Sequence, residues 1–551
     1  MTETFDYVIV GAGSAGCVLA NRLSADPGCR VLLLEYGGSD RSMFIQMPAA
    51  LSIPMNMPKY DWGYRSEPEP GLDGRRLQTP RGKVLGGSSS INGLVYVRGN
   101  PLDYERWAEL GARGWDYRCV LPYFRRAETW AGGADEYRGG SGELHTQYGA
   151  LTNPLHQAWL EAARQAGYPY TADINGYQQE GFGRMDMTVA NGRRCSAANA
   201  YLHPARARPN LDIRAHARAT RVLFEGRRAR GVRYRRGGEE HEARAQREVI
   251  LACGSINSPQ LLKLSGIGPG AELAAFGIEV VADRPGVGEN LQDHLEFYFQ
   301  VACKEPVSLY AYTRGWRRAL VGLRWLARKD GLGASNQFET CGFIRSRAGE
   351  RYPDIQYHFL PLAVSYDGSS MASEHGFQAH VGPMRSKSRG RVRLASPDPL
   401  AKPRILFNYL SHPDDRVEMR ACVRLTREIF SQPAFDRYRG RELAPGAQVT
   451  SDADIDAFIR QRVESAYHPS CSCRMGDPAD PLAVVDPETR VIGAEALRVV
   501  DSSIMPTITN GNLNAPTIML AEKAADHILG KSLPRADVSF YEAPNWRTSQ
   551  R

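Results

Sequence analysis

The N-terminal segment, residues 7–35, constrains the fold more than any other part of this sequence. An apolar run at 7–10 is followed at once by the glycine-rich stretch 11–16 and then by apolar residues at helical spacing. A second apolar run, 31–34, ends in the acid Glu35. The order strand, glycine turn, helix, strand and acid predicts a dinucleotide-binding βαβ unit.

The residues of the glycine-rich stretch have separate tasks. Gly11 permits a tight turn, Gly13 lets backbone N–H groups approach a pyrophosphate, and Gly16 lets the helix pack closely on the strand. The helix N-terminus faces the phosphates, and Glu35 accepts hydrogen bonds from the ribose of an adenosine. The predicted nucleotide contacts in this unit are Gly11, Ala12, Gly13, Ser14, Ala15, Gly16 and Glu35.

Later segments indicate which nucleotide is bound. The apolar runs 249–254 and 497–501 have the pattern of further strands of the same domain, and the stretch 85–93 is rich in small residues that suit close backbone approach to a ligand. We expect FAD, because an extended ligand contacted from distant parts of the chain suits FAD better than NAD. The FAD-binding domain is therefore predicted to be discontinuous, comprising residues 1–150, 196–300 and 460–535.

The segments between these pieces have a different pattern. Short runs with aromatic and β-branched residues occur at 338–345, 354–360, 377–381 and 390–394. Such runs favour an antiparallel sheet, here flanked by helices, as the wall of a substrate-binding domain at 151–195 and 301–459. The predicted fold class is α/β, a Rossmann-like FAD-binding domain joined to this second domain. Residues 536–551 are polar and are predicted to form an irregular C-terminal tail.

The C-terminal third contains residues suited to removing a proton from an alcohol. His468 fits the role of a base because the unperturbed histidine pKa is about 6.5. The neutral amide of Asn512 suits holding the substrate oxygen without competing for its proton. From the residues alone, a histidine before a proline fits a structural role at least as well.

Two other classes of site find little support in the sequence. Cys471 and Cys473 lie near His468, but a closed zinc site needs four ligands and no second Cys or His cluster accompanies them. A serine hydrolase is disfavoured because no GxSxG elbow is present. The sequence therefore predicts no metal site.

Together the motifs resemble those of the glucose–methanol–choline (GMC) oxidoreductase family. The resemblance covers nearly the whole chain and rests on residues 11–16 with Glu35, 86–92, 254–259, 468–476 and 501–516. It implies an FAD-dependent enzyme that oxidises alcohols.

Segments of the substrate domain resemble the choline-oxidising bacterial dehydrogenases of that family. They include 175–183, 303–310, 333–336, 355–361, 374–377, 384–386 and 439–442. The resemblance implies oxidation of choline to betaine aldehyde and onward to glycine betaine, with electrons passed to a quinone or another membrane carrier. A different primary alcohol, a carbon–carbon lyase with structural FAD, and a flavoprotein without turnover remain alternatives.

The resemblance also implies roles for individual residues. His468 is expected to take the hydroxyl proton while hydride passes to flavin N5, and Asn512 is expected to orient the oxygen. Some relatives attach FAD through a histidine just before Asn92; here that residue is Ile91, so non-covalent FAD is expected. The remaining cofactor contacts implied are Gly87, Asn92, Gly93, Val95, Val222 and Asp501.

A site for choline must also bind a permanent cation whose methyl groups donate no strong hydrogen bonds, which favours aromatic faces and a carboxylate. Glu339 is expected to be that carboxylate, and Tyr467 and Trp62 the aromatic faces. The alternatives are a solvent-facing Glu339 and a core Trp62. His375 and Asn514 complete the predicted substrate contacts.

Charge and hydropathy bear on location and partners. The net charge of +8 is modest for 551 residues, and no nucleic-acid motif accompanies it, so nucleic-acid binding is not expected. Lacking an evident signal peptide or spanning segment, the protein is expected on the cytoplasmic side, with peripheral contact to the inner membrane. Within 314–328, Trp316, Leu320 and Leu323 share one helical face in an arginine-rich segment. That pattern fits a helix at a membrane surface or one docked over the substrate pocket.

Overall fold

The computed structural model describes residues 3–364 and 374–551. Its first sheet begins with Glu3–Val10, which pairs in parallel with Val31–Leu34 on one side and Glu239–Leu251 on the other. Within these strands the paired residues 7–10, 31–34 and 249–251 are apolar and buried, because both faces of a parallel sheet are covered there. In spatial order the strands are Leu211–Arg214, Val31–Leu34, Glu3–Val10, Glu239–Leu251, Arg228–Arg236 and Arg218–Glu225, with Leu497–Val499 also paired to Glu239–Leu251.

Close backbone contact at the carboxyl edge of this sheet explains two of the glycines. Gly11 has a φ of +99°, and a Cβ atom there would lie 2.5 Å from the carbonyl oxygen of Ala252. A Cβ atom on Gly16 would lie 1.8 Å from the carbonyl oxygen of Gly11. Only glycine therefore lets the helix Ser14–Leu23 pack this closely on its strand.

The second sheet is antiparallel and forms the other wall of the molecule's main cleft. Its order is Arg439–Ala444, Leu295–Cys303, Gly376–Pro383, Ile355–Leu360, Thr340–Ile344 and Gly181–Arg184, with Glu464–Ser465 also paired to Leu295–Cys303. The predicted fold class is confirmed. The predicted boundary at residue 300 falls inside Leu295–Cys303, a strand whose partners all belong to this second sheet.

Side chains along the strand Leu295–Cys303 point alternately to the core of the second domain and to the cavity. Leu295, Phe297 and Phe299 are buried in the core of the second domain. Glu296 and Tyr298 point to the opposite face, as the two-residue period of a strand requires.

Helices cover both sheets, and the helices of nine residues or more among the described residues are Ser14–Leu23, Pro101–Glu109, Tyr117–Ala127, Pro154–Gln165, Gly254–Leu264, Gly315–Arg328, Pro413–Phe430, Asp452–Arg462 and Asn514–Ile528. Within residues 3–364 and 374–551, none has the length and apolar character needed to cross a bilayer. Residues 536–551 contain no helix or strand, yet they are anchored, since Arg345 donates to the carbonyl of Ser549 and Arg551 pairs with Glu428.

Candidate active site

A cavity of about 320 Å³ lies between the two sheets. Its lining begins at the glycine-rich turn and Glu35, passes residues 87–93, and includes His468 and Asn512. One continuous cavity therefore joins the predicted nucleotide residues to the predicted catalytic pair.

Glu35 stands at the nucleotide end in a fixed orientation. Its carboxylate accepts the N–H of Ala12 at 2.9 Å and the N–H of Gly37 at 2.7 Å. Burial raises the pKa of Glu35 to about 7, against the lowering effect of these donors. Ala12 thus positions the acid rather than lining the cavity.

The start of the helix Ser14–Leu23 is suited to an anionic group. Gly13 caps this helix without any side-chain hydrogen bond, and its first turn contains no acidic residue. A Cβ atom on Gly87 would lie 2.7 Å from the Cα atom of Gly13, so two glycine backbones frame the opening. Unpaired N–H groups and a positive helix end fit the pyrophosphate of FAD.

Most predicted cofactor residues line this cavity, and three do not. Those on the lining are Gly11, Gly13, Ser14, Ala15, Glu35, Gly87, Asn92, Gly93, Val95 and Asp501. Ala12 and Gly16 act behind it, as described above. The prediction for Val222 is not supported, because its N–H is committed to Ser265 at 2.9 Å and the lining residues nearest to it along the chain are Ala217 to Ala219.

The segment around Asn92 is held by hydrogen bonds from other elements. Arg194 donates to the Asn92 side-chain oxygen at 2.7 Å, and Asn336 donates to the carbonyl of Gly93 at 2.8 Å. Ile91 also lines the cavity and offers no atom to bond to a flavin. Non-covalent attachment stays a prediction that this side chain supports.

His468 is linked to a second histidine that determines which of its nitrogens carries the proton. His294 donates from Nε2 to the carbonyl of Met384 at 3.0 Å, so neutral His294 has a lone pair on Nδ1. The two Nδ1 atoms of His294 and His468 are 3.0 Å apart. His468 must therefore carry its proton on Nδ1, which leaves a lone pair on Nε2 in the cavity.

Hydrogen bonds also fix the orientation of the Asn512 side chain. Its side-chain oxygen accepts from Gln356 at 3.1 Å and from Nε2 of His358 at 3.1 Å. Its amide nitrogen lies 3.1 Å from Nε2 of His468. With the proton of His468 on Nδ1, the Asn512 amide donates to the Nε2 lone pair, so the donor and the base lie side by side on the cavity lining.

Burial keeps these histidines neutral. The pKa of His468 is held well below its ordinary value, first by burial and then by His294, His358 and Arg81. Burial also lowers the pKa of His294 to about 3. The backbone N–H of His468 donates to the carboxylate of Asp293 at 2.7 Å, which fixes the main chain around the histidine.

The prediction that Glu339 binds the substrate cation is not supported by the geometry. Among described residues the cavity lining includes Phe338 but not Glu339. The Glu339 carboxylate instead accepts the N–H of Leu151 at 2.5 Å and the hydroxyl of Ser335 at 2.8 Å. Adjacent residues in an extended segment point in opposite directions, so Phe338 enters the cavity and Glu339 is turned away from it.

The sequence prediction missed Glu296, a carboxylate of the second sheet that lines the cavity in addition to Glu35 and Asp501. The Gln378 side-chain oxygen accepts from Gln300 at 2.8 Å and from Val364 N–H at 2.8 Å, so its nitrogen donates to Nε2 of His380 at 2.7 Å. His380 then donates from Nδ1 to Glu296 at 3.2 Å. The available signal was the buried period-two pattern of Leu295–Cys303, which leaves Glu296 facing the other way.

The other predicted substrate residues lie in different places. Tyr467 and Trp62 both line the cavity, and Trp62 packs against Tyr36, the residue after Glu35, with ring centroids 5.1 Å apart. Asn514 lines it too, but accepts the Ser14 hydroxyl at 2.8 Å and so belongs to the nucleotide end. His375 lies outside the described lining, with its Nδ1 atom 2.8 Å from the hydroxyl of Ser308.

Family comparison agrees with this geometry. The N-terminal model of the family described as GMC oxidoreductase matches residues 5–296, and the C-terminal model matches residues 386–521. The chain belongs to the GMC oxidoreductase family. The predictions of family membership, of an FAD-dependent oxidoreductase and of FAD as cofactor are thereby confirmed for this GMC enzyme.

Curated relatives match over the full length. A protein of Photobacterium profundum named oxygen-dependent choline dehydrogenase is 57% identical over 554 residues, covering 100% of this chain and 98% of the relative. A protein of the same name from Brucella ovis is 58% identical over 547 residues, covering 99% of this chain and 100% of the relative.

Solved structures of oxidases share the fold. Pyridoxine 4-oxidase from Mesorbium loti superposes with a TM-score of 0.86 at 33% identity, covering 95% of this chain and 98% of that protein. A variant of Aspergillus oryzae RIB40 formate oxidase, studied for FAD modification, superposes with a TM-score of 0.90 at 27% identity, covering 96% and 98% of the two chains.

Proposed function

We propose that this GMC oxidoreductase oxidises choline to betaine aldehyde, and the hydrated aldehyde onward to glycine betaine. The observation that carries the proposal is a carboxylate, Glu296, in the same cavity as His468 and Asn512. A neutral alcohol has no need of a partly buried carboxylate, whereas a quaternary ammonium does. The names of the full-length relatives support the same substrate.

FAD, when bound, supplies the acceptor for the hydride that leaves the carbinol carbon. The chain's own residues deal with the proton and the oxygen. The lone pair on Nε2 of His468 takes the hydroxyl proton, and the amide of Asn512 holds the oxygen as negative charge develops on it. Because burial disfavours a charged imidazole, His468 stands ready as a neutral base.

The trimethylammonium end of choline is proposed to lie against the cavity-facing side of the second sheet, the side away from its hydrophobic core. Glu296 provides charge, while Phe338, Tyr298 and Tyr467 provide aromatic surface on the lining. The N–H that His380 donates fixes the orientation of the Glu296 carboxylate. The same base and amide serve the second oxidation, because a hydrated aldehyde again presents a hydroxyl on the reacting carbon.

Anaerobic mixing of the purified yellow protein with choline tests this proposal. We expect rapid bleaching of the visible flavin band, since choline transfers its hydride and no acceptor removes the electrons. Bleaching only by aliphatic or aromatic alcohols would contradict the substrate and keep the enzyme class. Absence of bleaching by every alcohol would favour the lyase alternative.

The role of His294 as a positioning residue gives a second test. His294→Leu removes the acceptor for the Nδ1–H of His468, so we expect roughly 10²-fold slower flavin reduction. His294→Asn, whose side-chain oxygen occupies nearly the place of Nδ1, should recover much of that rate. Flavin reduction by the wild type should stay flat above pH about 6.5, because the lowered pKa of His468 places protonation below that value.

The control for this test lies in the pH profile and in substrate binding. His294→Leu removes one of the groups that lower the pKa of His468, so its acidic limb should move to higher pH. If the pH profile of His294→Leu kept its acidic limb in place, and the variant instead required more choline in proportion to its loss of rate, His294 would have a merely structural role.

Electrons are proposed to leave through a quinone or another membrane carrier. The exposed, arginine-rich helix Gly315–Arg328 supports this acceptor. Molecular oxygen is the alternative, supported by the names of the two curated relatives. Comparing reoxidation of the reduced protein by a soluble quinone and by oxygen distinguishes the two.

A further inference from the structure

The helix Gly315–Arg328 is attached to the protein by one narrow face. Trp325 is buried, with 2% of its surface exposed, and packs with Met47 and Ala50. Its indole N–H donates to the carbonyl of Gly192 at 2.7 Å. The helix is therefore docked, and its orientation on the protein surface is fixed.

The opposite face of this helix is apolar and lies in solvent. Trp316, Leu320 and Leu323 are 69%, 51% and 60% exposed. At 3.6 residues per turn these three side chains form one strip along the helix, with Trp325 on the far side. We call Trp316, Leu320 and Leu323 the outer strip. Three large apolar side chains at this exposure on one helix require an explanation that folding alone does not give.

The charge beside the outer strip is almost entirely positive. Arg317, Arg324 and Arg328 project along one edge of it, and the helix contains no acidic residue. Arg324 pairs with Asp330 at 2.6 Å. Arg317 and Arg328 form no ion pair with any carboxylate in the described ranges.

We propose that the outer strip docks the protein on the surface of an anionic lipid bilayer. A helix with a polar, arginine-rich edge and an apolar edge that carries Trp and Leu lies in the plane of the interface, with the apolar side chains at the acyl boundary. The arginine side chains are long enough to reach lipid phosphates while their stems stay apolar. The uniform positive charge favours phosphates over a protein surface of mixed charge.

Docking in this orientation brings the cavity wall to the membrane. Beyond the helix, the turn Gly331–Ala334 leads to Asn336, which hydrogen-bonds to Gly93 on the cavity lining. Trp325 packs on Met47, a few residues before the lining residue Leu51. This inference deepens the proposed membrane acceptor, but it does not depend on the substrate.

Flotation of the FAD-loaded protein with vesicles tests the docking. We expect binding at low salt to phosphatidylcholine vesicles that contain a third phosphatidylglycerol, weak binding to pure phosphatidylcholine, and release by high salt. Leu320→Ser combined with Leu323→Ser should weaken binding roughly tenfold or more, because it removes two of the three apolar anchors. Trp316 fluorescence should shift to the blue on binding, and the Trp316→Phe variant should lack that part of the shift.

Matched variants elsewhere on the surface are the controls. Leu400→Ser with Leu482→Ser removes two side chains of comparable exposure and should leave flotation unchanged. Arg317→Gln with Arg328→Gln should weaken binding to anionic vesicles, whereas Arg235→Gln with Arg236→Gln, also at exposed positions, should not.

Three outcomes would overturn the proposal: no flotation of the wild type at low salt, equal loss in both leucine pairs, or a dimer in solution that the Leu320→Ser/Leu323→Ser variant abolishes. The last would assign the strip to a second copy of the chain. Anaerobic reduction by choline is measured on the same samples. Failure of docking is thus separated from failure of the proposed function, because flotation requires no turnover.

Discussion

Replacing His468 by glutamine is expected to slow anaerobic flavin reduction by choline roughly 10²- to 10⁴-fold, the range that a general base contributes. Glutamine can still donate to or accept from Asn512, but it offers no basic lone pair. FAD content should stay near that of the wild type, because the nucleotide end of the cavity is built from the glycine-rich turn and Glu35. Stopped-flow absorbance and the flavin-to-protein ratio measure the two quantities.

The control for this variant is His145→Gln, on an exposed strand position outside the cavity lining. It should reduce its flavin at the parent rate. If His468→Gln were reduced as fast as His145→Gln, His468 would not be the base. Loss of FAD from His468→Gln alone would point to a structural role for the histidine motif.

Replacing Glu296 by glutamine is expected to raise the choline concentration required for half-maximal flavin reduction about 10²-fold, the cost of removing one partner of a desolvated charge pair. Glu339→Gln is the matched control, since both residues are glutamates close to the cavity wall and only Glu296 lines the cavity. Glu339→Gln should leave the requirement for choline nearly unchanged. It should instead lower thermal stability, because Glu339 holds Leu151 and Ser335.

A neutral analogue separates charge recognition from shape. In 3,3-dimethylbutan-1-ol a carbon replaces the nitrogen of choline, so it has the same outline and no charge. The Glu296→Gln change should penalise choline strongly and this analogue hardly at all. Equal penalties for both alcohols would show that Glu296 supports the shape of the cavity and does not bind the cation.

Comparison of Glu339 with Glu296 shows that the sequence did not reveal which glutamate side chain faces the cavity. Both are glutamates next to a phenylalanine, and the resemblance to choline-oxidising relatives favoured Glu339. Glu296 faces the cavity because of its position in the strand Leu295–Cys303, which pairs with Gly376–Pro383, whereas Glu339 lies just before the strand Thr340–Ile344. A shift of one residue in the register of Leu295–Cys303 would turn Glu296 from the cavity to the core.

Local chemistry made the nucleotide end predictable from the sequence. The glycine turn, the helix that follows it and Glu35 lie within one short segment, and their roles follow from backbone geometry and hydrogen bonding between near neighbours. Val222, which the family resemblance implied, stays a prediction without support from the geometry, because its N–H donates to Ser265, far along the chain.

By itself, the sequence determined the βαβ unit, the antiparallel second sheet, the FAD cofactor and the choice of His468 and Asn512 as catalytic candidates. Only the tertiary structure decided the proton position on His468, the carboxylate that faces the cavity and the side of the helix Gly315–Arg328 that remains in solvent. Each of these depends on partners distant in sequence: the Met384 carbonyl acting through His294, His380 beside Glu296, and Met47 under Trp325. Such partners are brought together by packing of the two sheets, which no local pattern of residues encodes.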